Sequence, residues 1–514
     1  MALLGGAVAL LAVAGAGAFA LRSRARATTA DASPPGSAPI TSVAVLPFAN
    51  TGGDRSDDYF SDGLSDELAH ALVKVPGLRV AGRASSNVFR GKSATAREIG
   101  RVLGVGAIVE GTVRRAGGRL RVTAQLTSTT DGNVLWTSEP FESRSADVFQ
   151  VQDEFTSAVV TALAPTLRGA SVTSTAKATE RRGTRDAEAY DLYLHGRYYW
   201  SRRGVANLER AVDYFRQAAA KDPSFARAHA GLALAYVVIP AFDVNAPSDS
   251  MYQLASISAQ RALALEPGNG DAHLALANVN TRHLRLTEAR RHFSAALADQ
   301  PLDPTAHGWY GDHLKYRGML DSALIEKRRA VELEPLSALL TNQLATMLYE
   351  MNRLPEALDA AHRIAELDSS FTRGYHTLAR IQIFRGFPDS ALTALETAAR
   401  LGPRLDGEHG LRVLALAAAG RWPEARRLWN ELLANPQLRR SHSDRMLAAM
   451  AFGDRAAAMD ALEREIASLD LRTNPGCNPV YESLKTEPRF LALMKRFGIA
   501  VCAPRGSWPL PPPP

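Results

Sequence analysis

Cysteine is scarce. The 514 residues hold two, Cys477 and Cys502, both near the carboxyl end. No CxxC pair and no Cys/His cluster of zinc spacing occurs, which excludes a structural zinc site. The two either stay free thiols or form one disulfide that staples the last helix, which needs an oxidising compartment. Aromatic residues are only 7% against 46% hydrophobic residues overall. That balance suits closely packed Ala- and Leu-rich helices more than an aromatic-rich enzyme core. Walker A, HExxH, GxSxG and kinase catalytic-loop signatures are all missing, so nothing in the sequence motivates catalysis, a metal or a cofactor. Asp57, Asp58 and Asp62 do not follow calcium-loop spacing; carboxylates at a helix start need no metal. The charge excess is small, 60 basic against 53 acidic residues. The basic residues, mostly arginine, alternate with Glu and Asp as on solvated helix faces, which argues against nucleic acid as a partner.

What is present begins with residues 1–21, where Ala2 to Leu21 carries no charge. Twenty such residues can cross a bilayer as a helix. A cleaved signal peptide competes, since Ala18-Phe19-Ala20 resembles a small-x-small cleavage site, but no basic residue precedes the apolar run. The expectation is a membrane anchor in the inner membrane, single-pass, with the folded part in the periplasm. Arg22, Arg24 and Arg26 argue for the opposite orientation. Residues 22–39, rich in Ser, Thr, Ala and Pro, read as a linker.

Residues 40–168 read as a small mixed α/β domain. Ser42 to Phe48 is an apolar, β-branched strand stopped at Pro47. Tyr59 to Val75 has apolar residues at helical spacing, and Pro76-Gly77 ends it. A short strand (Leu78 to Ala81), a second helix (Thr95 to Leu103), an alternating hairpin turning at Gly117-Gly118, a further strand and a last helix follow. The order is β-α-β-α-β-β-β-α. The segments Val43-Ala-Val-Leu-Pro-Phe48, Tyr59-Phe-Ser-Asp-Gly-Leu64, Arg97-Glu-Ile-Gly100, Glu110-Gly-Thr-Val-Arg-Arg115 and Gln152-Asp-Glu154 resemble the TolB-like amino-terminal domain. That family precedes tetratricopeptide repeats in many bacterial proteins and occurs behind a membrane helix in receptor-type serine/threonine kinases. The resemblance implies no defined ligand site.

Residues 169–186 form a second linker, and a period then sets in. Pro267, Pro301, Pro335 and Pro403 fall on steps of 34 residues, with Ser369 in the open slot. Ala277, Gly311, Ala345 and Ala379 keep the same step, as do Ala289, Ala323, Ala357 and Ala391. These columns resemble the tetratricopeptide repeat (TPR), in which small residues let paired helices touch and proline ends the second helix. No pair buries its apolar face alone, so stacking must make the core continuous. About eight units are expected over residues 187–497. Pro223 to Pro267 spans 44 residues; the ten extra are expected as a loop near Ile239 to Ser250, because Pro240 and Pro247 fall there. A terminal capping helix includes Glu487 to Leu491, and 498–514 read as a disordered tail ending in polyproline. The fold class is therefore α/β plus all-α: an N-terminal membrane helix, a TolB-like domain and a TPR superhelix.

In this repeat family the first helix of each pair lines a groove that holds peptides. By that resemblance the groove positions are Asn278, Arg282, Asp312, Lys315, Asn342, Tyr349, Arg373, His376 and Arg380. The family's carboxylate clamp needs a Lys early in the first helix and an Asn one turn on; Asn278 and Asn342 fit the second requirement, and Leu274 and Thr346 do not supply the first. His229, His273 and His307 also sit in first helices, as groove or packing residues. The expected function is a non-enzymatic, membrane-tethered interaction scaffold with a protein or peptide partner. The alternative is the ligand-sensing half of a signalling protein, such as a receptor-type kinase or a transcriptional regulator whose effector lies upstream or on another gene. A hydrolase hidden in the α/β domain is the third reading.

Overall fold

The computed structural model describes residues 40–117, 119–144, 148–163, 183–243, 246–402, 405–435, 441–468 and 474–503. Residues 1–21, expected as a membrane anchor, residues 22–39 and most of 169–186, expected as linkers, and the polyproline end lie outside them. Among the described residues the chain is a mostly helical solenoid preceded by a small sheet region.

The sheet region runs β1 (Ser42–Val45), β2 (Ala49–Asn50), α1 (Asp58–Val73), β3 (Arg79–Val80), α2 (Arg83–Asn87), α3 (Ala96–Leu103), β4 (Ala107–Ala116), β5 (Arg119–Ser128), β6 (Val134–Thr137), β7 (Phe141–Arg144) and α4 (Val148–Leu163). The strand order is β3-β1-β4-β5-β6, with β2 on β4 and β7 on β5. β1 is parallel to both β3 and β4, and β4 and β5 form a ten-pair antiparallel ladder. Leu120, Val122, Ala124 and Leu126 are buried on alternate positions of β5, as one buried sheet face requires. One core cluster joins Ala44 of β1 and Leu46 just beyond it with Ile99 and Leu103 of α3. Elsewhere in the sheet region Phe48 meets Phe155 of α4 edge to face at 5.5 Å. Thr95 starts α3 with a capping box closed by Glu98, and Gly104 ends it in the left-handed conformation.

Among the described residues eight helix pairs follow. They are α5 (Ala187–Arg202) with α6 (Val205–Lys221), α7 (Ala226–Phe242) with α8 (Ser248–Leu265), α9 (Gly270–Arg282) with α10 (Leu286–Asp299), and α11 (Pro304–Tyr316) with α12 (Leu320–Leu333). Then come α13 (Ala338–Glu350) with α14 (Leu354–Leu367), α15 (Thr372–Phe384) with α16 (Pro388–Leu401), α17 (Glu408–Ala418) with α18 (Trp422–Ala434), and α19 (His442–Ala451) with α20 (Arg455–Ala467). A 3₁₀ turn (Pro479–Leu484) and α21 (Pro488–Phe497) close the described chain. The two small-residue columns face each other within a pair: a Cβ on Gly311 would stand 3.1 Å from the carbonyl of Ala323. Larger side chains there would hold the helices apart.

The ten extra residues of the second pair are not a loop. α7 has 17 residues against 13 in α9, and α8 has 18 against 14 in α10. The insertion lengthens both helices by a turn and adds little to the connection. Pro240 sits inside α7, near its end, so the chain follows it only briefly before the helix stops.

The inner-membrane, single-pass placement is overturned. Among the described residues no helix is long and apolar enough to cross a bilayer. The longest, α8, has 18 residues and includes Asp249 and Arg261; a spanning helix needs ~20 apolar residues.

Sheet region and solenoid meet through the motif Tyr59–Leu64. The Tyr59 hydroxyl donates to Asp191 of α5 at 2.6 Å, and its ring stacks on His195 at 3.5 Å. A Cβ on Gly63 would lie 2.8 Å from Leu194, so only glycine lets α1 lie this close to α5. Asp62, 3% exposed, pairs with Arg90 and, at 3.7 Å, with Arg202 of α5. Arg227 of α7 grips both carboxylate oxygens of Glu67, the two-pronged geometry that arginine favours. A second contact joins the β3–α2 turn to the α12–α13 connection: Gly82 N–H donates to Leu333 O at 2.8 Å, and Leu336 N–H to Ser85 Oγ at 3.0 Å.

Candidate functional site

The first helix of each pair begins at a side-chain cap in several repeats. Asn269, Asp303 and Ser337 each accept a hydrogen bond from the third residue beyond them, at Ala272, Ala306 and Leu340, which fixes where the helix starts. The caps keep the 34-residue step, so the same inner positions recur from pair to pair.

The groove candidates divide into three groups. Asp312 and Lys315 belong to one buried ionic network. Lys315 Nζ lies 3.2 Å from Glu350 Oε2 and 3.6 Å from Asp312 Oδ1. Lys327 Nζ of α12 lies 2.8 Å from Asp312 Oδ1, and donates to Gly308 O at 2.6 Å and to Gln343 Oε1 at 3.0 Å. Lys315, Lys327 and Glu350 are 3%, 2% and 0% exposed. Burial alone would push the Lys315 ammonium down, but Glu350 and Asp312 overcome it and hold the proton on. Burial likewise works against the Asp312 carboxylate, and the two lysines hold it below its usual range.

Arg373 and His376 are engaged by other parts of the solenoid. Arg373 donates to the Ala241 carbonyl and lies over the Phe242 ring, 4.9 Å from its centroid. The end of α7, lengthened by the insertion, therefore touches the start of α15. His376 lies 3.3 Å from the Glu408 carboxylate. Burial raises Glu408, but the His376 bond outweighs it and lowers the carboxylate.

The remaining candidates keep polar capacity or partial exposure. Asn278 Oδ1, Asn342 Oδ1 and the Tyr349 hydroxyl are buried and hydrogen-bond to nothing among the described residues. Asn278 as a whole is 7% exposed, and Tyr349, which meets Phe384 edge to face, is 1%. Burial pushes the Tyr349 phenol far above its ordinary range. Arg282 and Arg380 are half-buried; the charge of Arg282 reaches Asp312 and that of Arg380 reaches Tyr349.

Sequence reasoning missed Lys327, Glu350 and Glu408. Two of them left a signal. Glu350 stands 34 residues from both Tyr316 and Phe384, and Lys327 occupies the column of Phe293, Ala361 and Leu395. A charge in an otherwise apolar column has to be buried with a partner.

The histidines have another role. His229 Nε2 meets Pro223 O at 3.3 Å, His273 Nε2 meets Pro267 O at 3.0 Å, and His307 Nε2 meets Pro301 O at 3.0 Å. Tyr375 does the same to Ser369 O at 3.0 Å. Each side chain reaches back six residues and latches the turn between repeats. The second nitrogen of two of these rings also ties in the paired helix, with His273 Nδ1 3.0 Å from His292 Nδ1 and His307 Nδ1 2.6 Å from Glu326.

The tetratricopeptide-repeat family model matches residues 193–248 and 252–304. The chain contains tetratricopeptide repeats. A curated relative from Rhizobium meliloti (strain 1021), named putative adenylate cyclase 3, is 36% identical over 263 residues. The match covers 50% of this chain and 43% of that relative, so this chain spans less than half the length of the protein it matches. Among solved structures, Pseudomonas aeruginosa PilF is 18% identical with a TM-score of 0.34, covering 41% of this chain and 91% of PilF. YrrB, described as a TPR protein with an unusual peptide-binding site, is 21% identical with a TM-score of 0.28, covering 40% of this chain and 97% of YrrB. Tetratricopeptide repeats bind peptides or proteins, are generally non-enzymatic and suggest a protein–protein interaction scaffold.

Proposed function

We propose that the chain is a non-enzymatic interaction scaffold that holds an extended peptide segment of a partner protein along the first helices of α9 to α15. The observation that carries this is the set of buried polar atoms without partners on those helices: Asn278 Oδ1, Asn342 Oδ1 and the Tyr349 hydroxyl. A buried acceptor left unpaired costs ~1–3 kcal/mol. A peptide backbone brings N–H groups in an extended row and offsets that cost. Arg282 and Arg380 favour a segment with acidic side chains.

The test is selection of binders from a displayed peptide library on the full chain, followed by titration of the selected peptides. Asn278→Ala and Asn342→Ala are expected to weaken binding about tenfold each, the size of one lost hydrogen bond. Selected peptides that bind both variants as tightly as the parent would rule the reading out.

A second reading is favoured by the docking of the Tyr59–Leu64 motif on α5. We infer a TolB-like sheet domain that moves with the repeats and so passes their occupancy to a signalling effector. The matched relative's name, putative adenylate cyclase, is in keeping with such an effector. Photo-cross-linking from position 278 or 342 in cells tests this. Capture of a cyclase, kinase or regulator supports it; capture of proteins with no signalling activity alone counts against it.

A further inference from the structure

The segment that closes the described chain does not simply cap the last pair. Asn474 Nδ2 donates to the Lys315 carbonyl at 2.7 Å, across 159 residues of sequence. The Ala500 amide donates to the Tyr316 carbonyl at 3.0 Å. Gly318, at φ +73°, faces Ala500 so closely that a Cβ there would lie 2.6 Å from the Ala500 methyl. Residues 499–502, read from sequence as part of a disordered tail, therefore lie against the end of α11. Ile499 is 5% exposed and shares a core with Tyr316, Tyr481 and Phe490. These contacts bear on Lys315 and Tyr316, beside the ionic network and within the run of groove candidates.

Two things hold residues 499–503 in place. One is the packing of Ile499 and Ala500 against Tyr316 and Gly318. The other is the disulfide between Cys477 and Cys502, reinforced by the Cys502 amide donating to the Gly476 carbonyl at 2.9 Å. α21 itself is anchored independently through Phe490, Leu493 and Met494, and Gly498 ends it in the left-handed conformation. Residues 499–503 thus form a strap between a fixed helix and a covalent clasp.

We propose that the Cys477–Cys502 disulfide is a clasp whose reduction frees the 499–503 strap from α11 and uncovers the Lys315–Tyr316 edge of the inner face, leaving the helix pairs folded. Cys502 is partly exposed, whereas Cys477 is wholly buried, so Cys502 Sγ is the atom that a reductant reaches. A thiolate of a dithiol donor attacks it, the S–S bond breaks, and Cys477 leaves as a thiolate and takes a proton. The donor's second thiol then attacks the mixed disulfide and releases Cys502 as a thiol. Two electrons pass to the protein and the donor ends as its own disulfide. The strap rests on the reading of the inner face as partner-binding only for its consequence; the release itself stands apart.

The experiment is hydrogen–deuterium exchange on the full chain, oxidised, reduced with a dithiol, and as Cys502→Ser. The expected result is a loss of protection of about tenfold or more in 312–318 and 499–503 on reduction, reproduced without reductant in Cys502→Ser, with 270–300 and 455–467 unchanged. Unchanged exchange at 312–318 in the reduced chain or in Cys502→Ser overturns the proposal. So does loss of protection throughout α19 to α21, which would make the disulfide a staple for the whole end of the solenoid. Peptide titration, run separately on both redox forms, distinguishes failure of the strap from failure of the binding reading.

Discussion

Glu350, at 0% exposure, lies 3.2 Å from the ammonium of Lys315 on the neighbouring first helix. Neither residue meets bulk water. Removing one partner strands the other, so Lys315→Met or Glu350→Leu should each cost about 3–5 kcal/mol. The double variant Lys315→Met/Glu350→Leu should cost markedly less than the sum of the two single changes, because no unpaired charge remains at either site. Urea denaturation of the four proteins measures this coupling; strict additivity would mean that the pair does not interact.

Two histidines six residues apart on α11 should titrate stability in opposite directions. His313 is wholly buried and neither ring nitrogen has a partner among the described residues. Burial, helped by Arg317 and Arg290, lowers it to about 4. The folded state therefore binds fewer protons than the unfolded one, and its contribution is intact above pH ~6.5 and lost as pH falls towards 4, at most about 3 kcal/mol. His313→Phe should be more stable than the parent at pH 5 and close to it at pH 8.

For His307 burial also opposes the charge, but the bonds to Glu326 and to the Pro301 carbonyl outweigh it and raise the imidazole. Its contribution is full below pH ~6.5 and fades as pH rises through the raised value. His307→Ala should therefore cost about 1–2 kcal/mol at pH 6 and less at pH 9. Melting curves from pH 5 to 9 check both histidines; equal losses from His307→Ala at pH 6 and pH 9 would contradict the charged latch.

Gly63 should be intolerant of any side chain that reaches past Cβ. Gly63→Val places methyl groups into Leu194, which already lies 2.8 Å from an ideal Cβ. The expected outcome is a sheet region detached from a folded solenoid, seen as new protease cleavage between residues 164 and 186 with the repeat helicity retained. A single unchanged unfolding transition and no new cleavage would refute this.

The helix pairs were legible in the sequence because their register is set by steric demands at fixed spacing. The small columns at Ala277 and Ala289 leave no room for alternatives, and the latch carbonyls fall where the turn residues do. Most of the α/β order was legible from strand alternation and from breakers such as Pro76-Gly77, but the short elements β2, α2 and β7 were not. What could not be read was how far repeats distant in sequence approach one another. The engagement of Arg373 by the end of α7 was not legible for that reason. Ala241 and Phe242 lie four repeats from Arg373, as Asn474 lies 159 residues from the Lys315 carbonyl it bonds, and no local periodicity encodes a contact that depends on the accumulated twist of several pairs. Pro240 misled in another way: a proline near the end of a helix removes one amide and costs little, so it marked no loop.

The contact of Arg373 with Ala241 and Phe242 makes the array something other than a string of interchangeable beads. In a solenoid each repeat senses only its neighbours, and copies can be gained or lost with little penalty. Here the second pair touches the sixth, so inserting or deleting one repeat between them would move Arg373 out of register with α7. The number of units between Ala226 and Phe384 is thereby frozen, and divergence in this region should proceed by substitution within repeats, not by duplication of them.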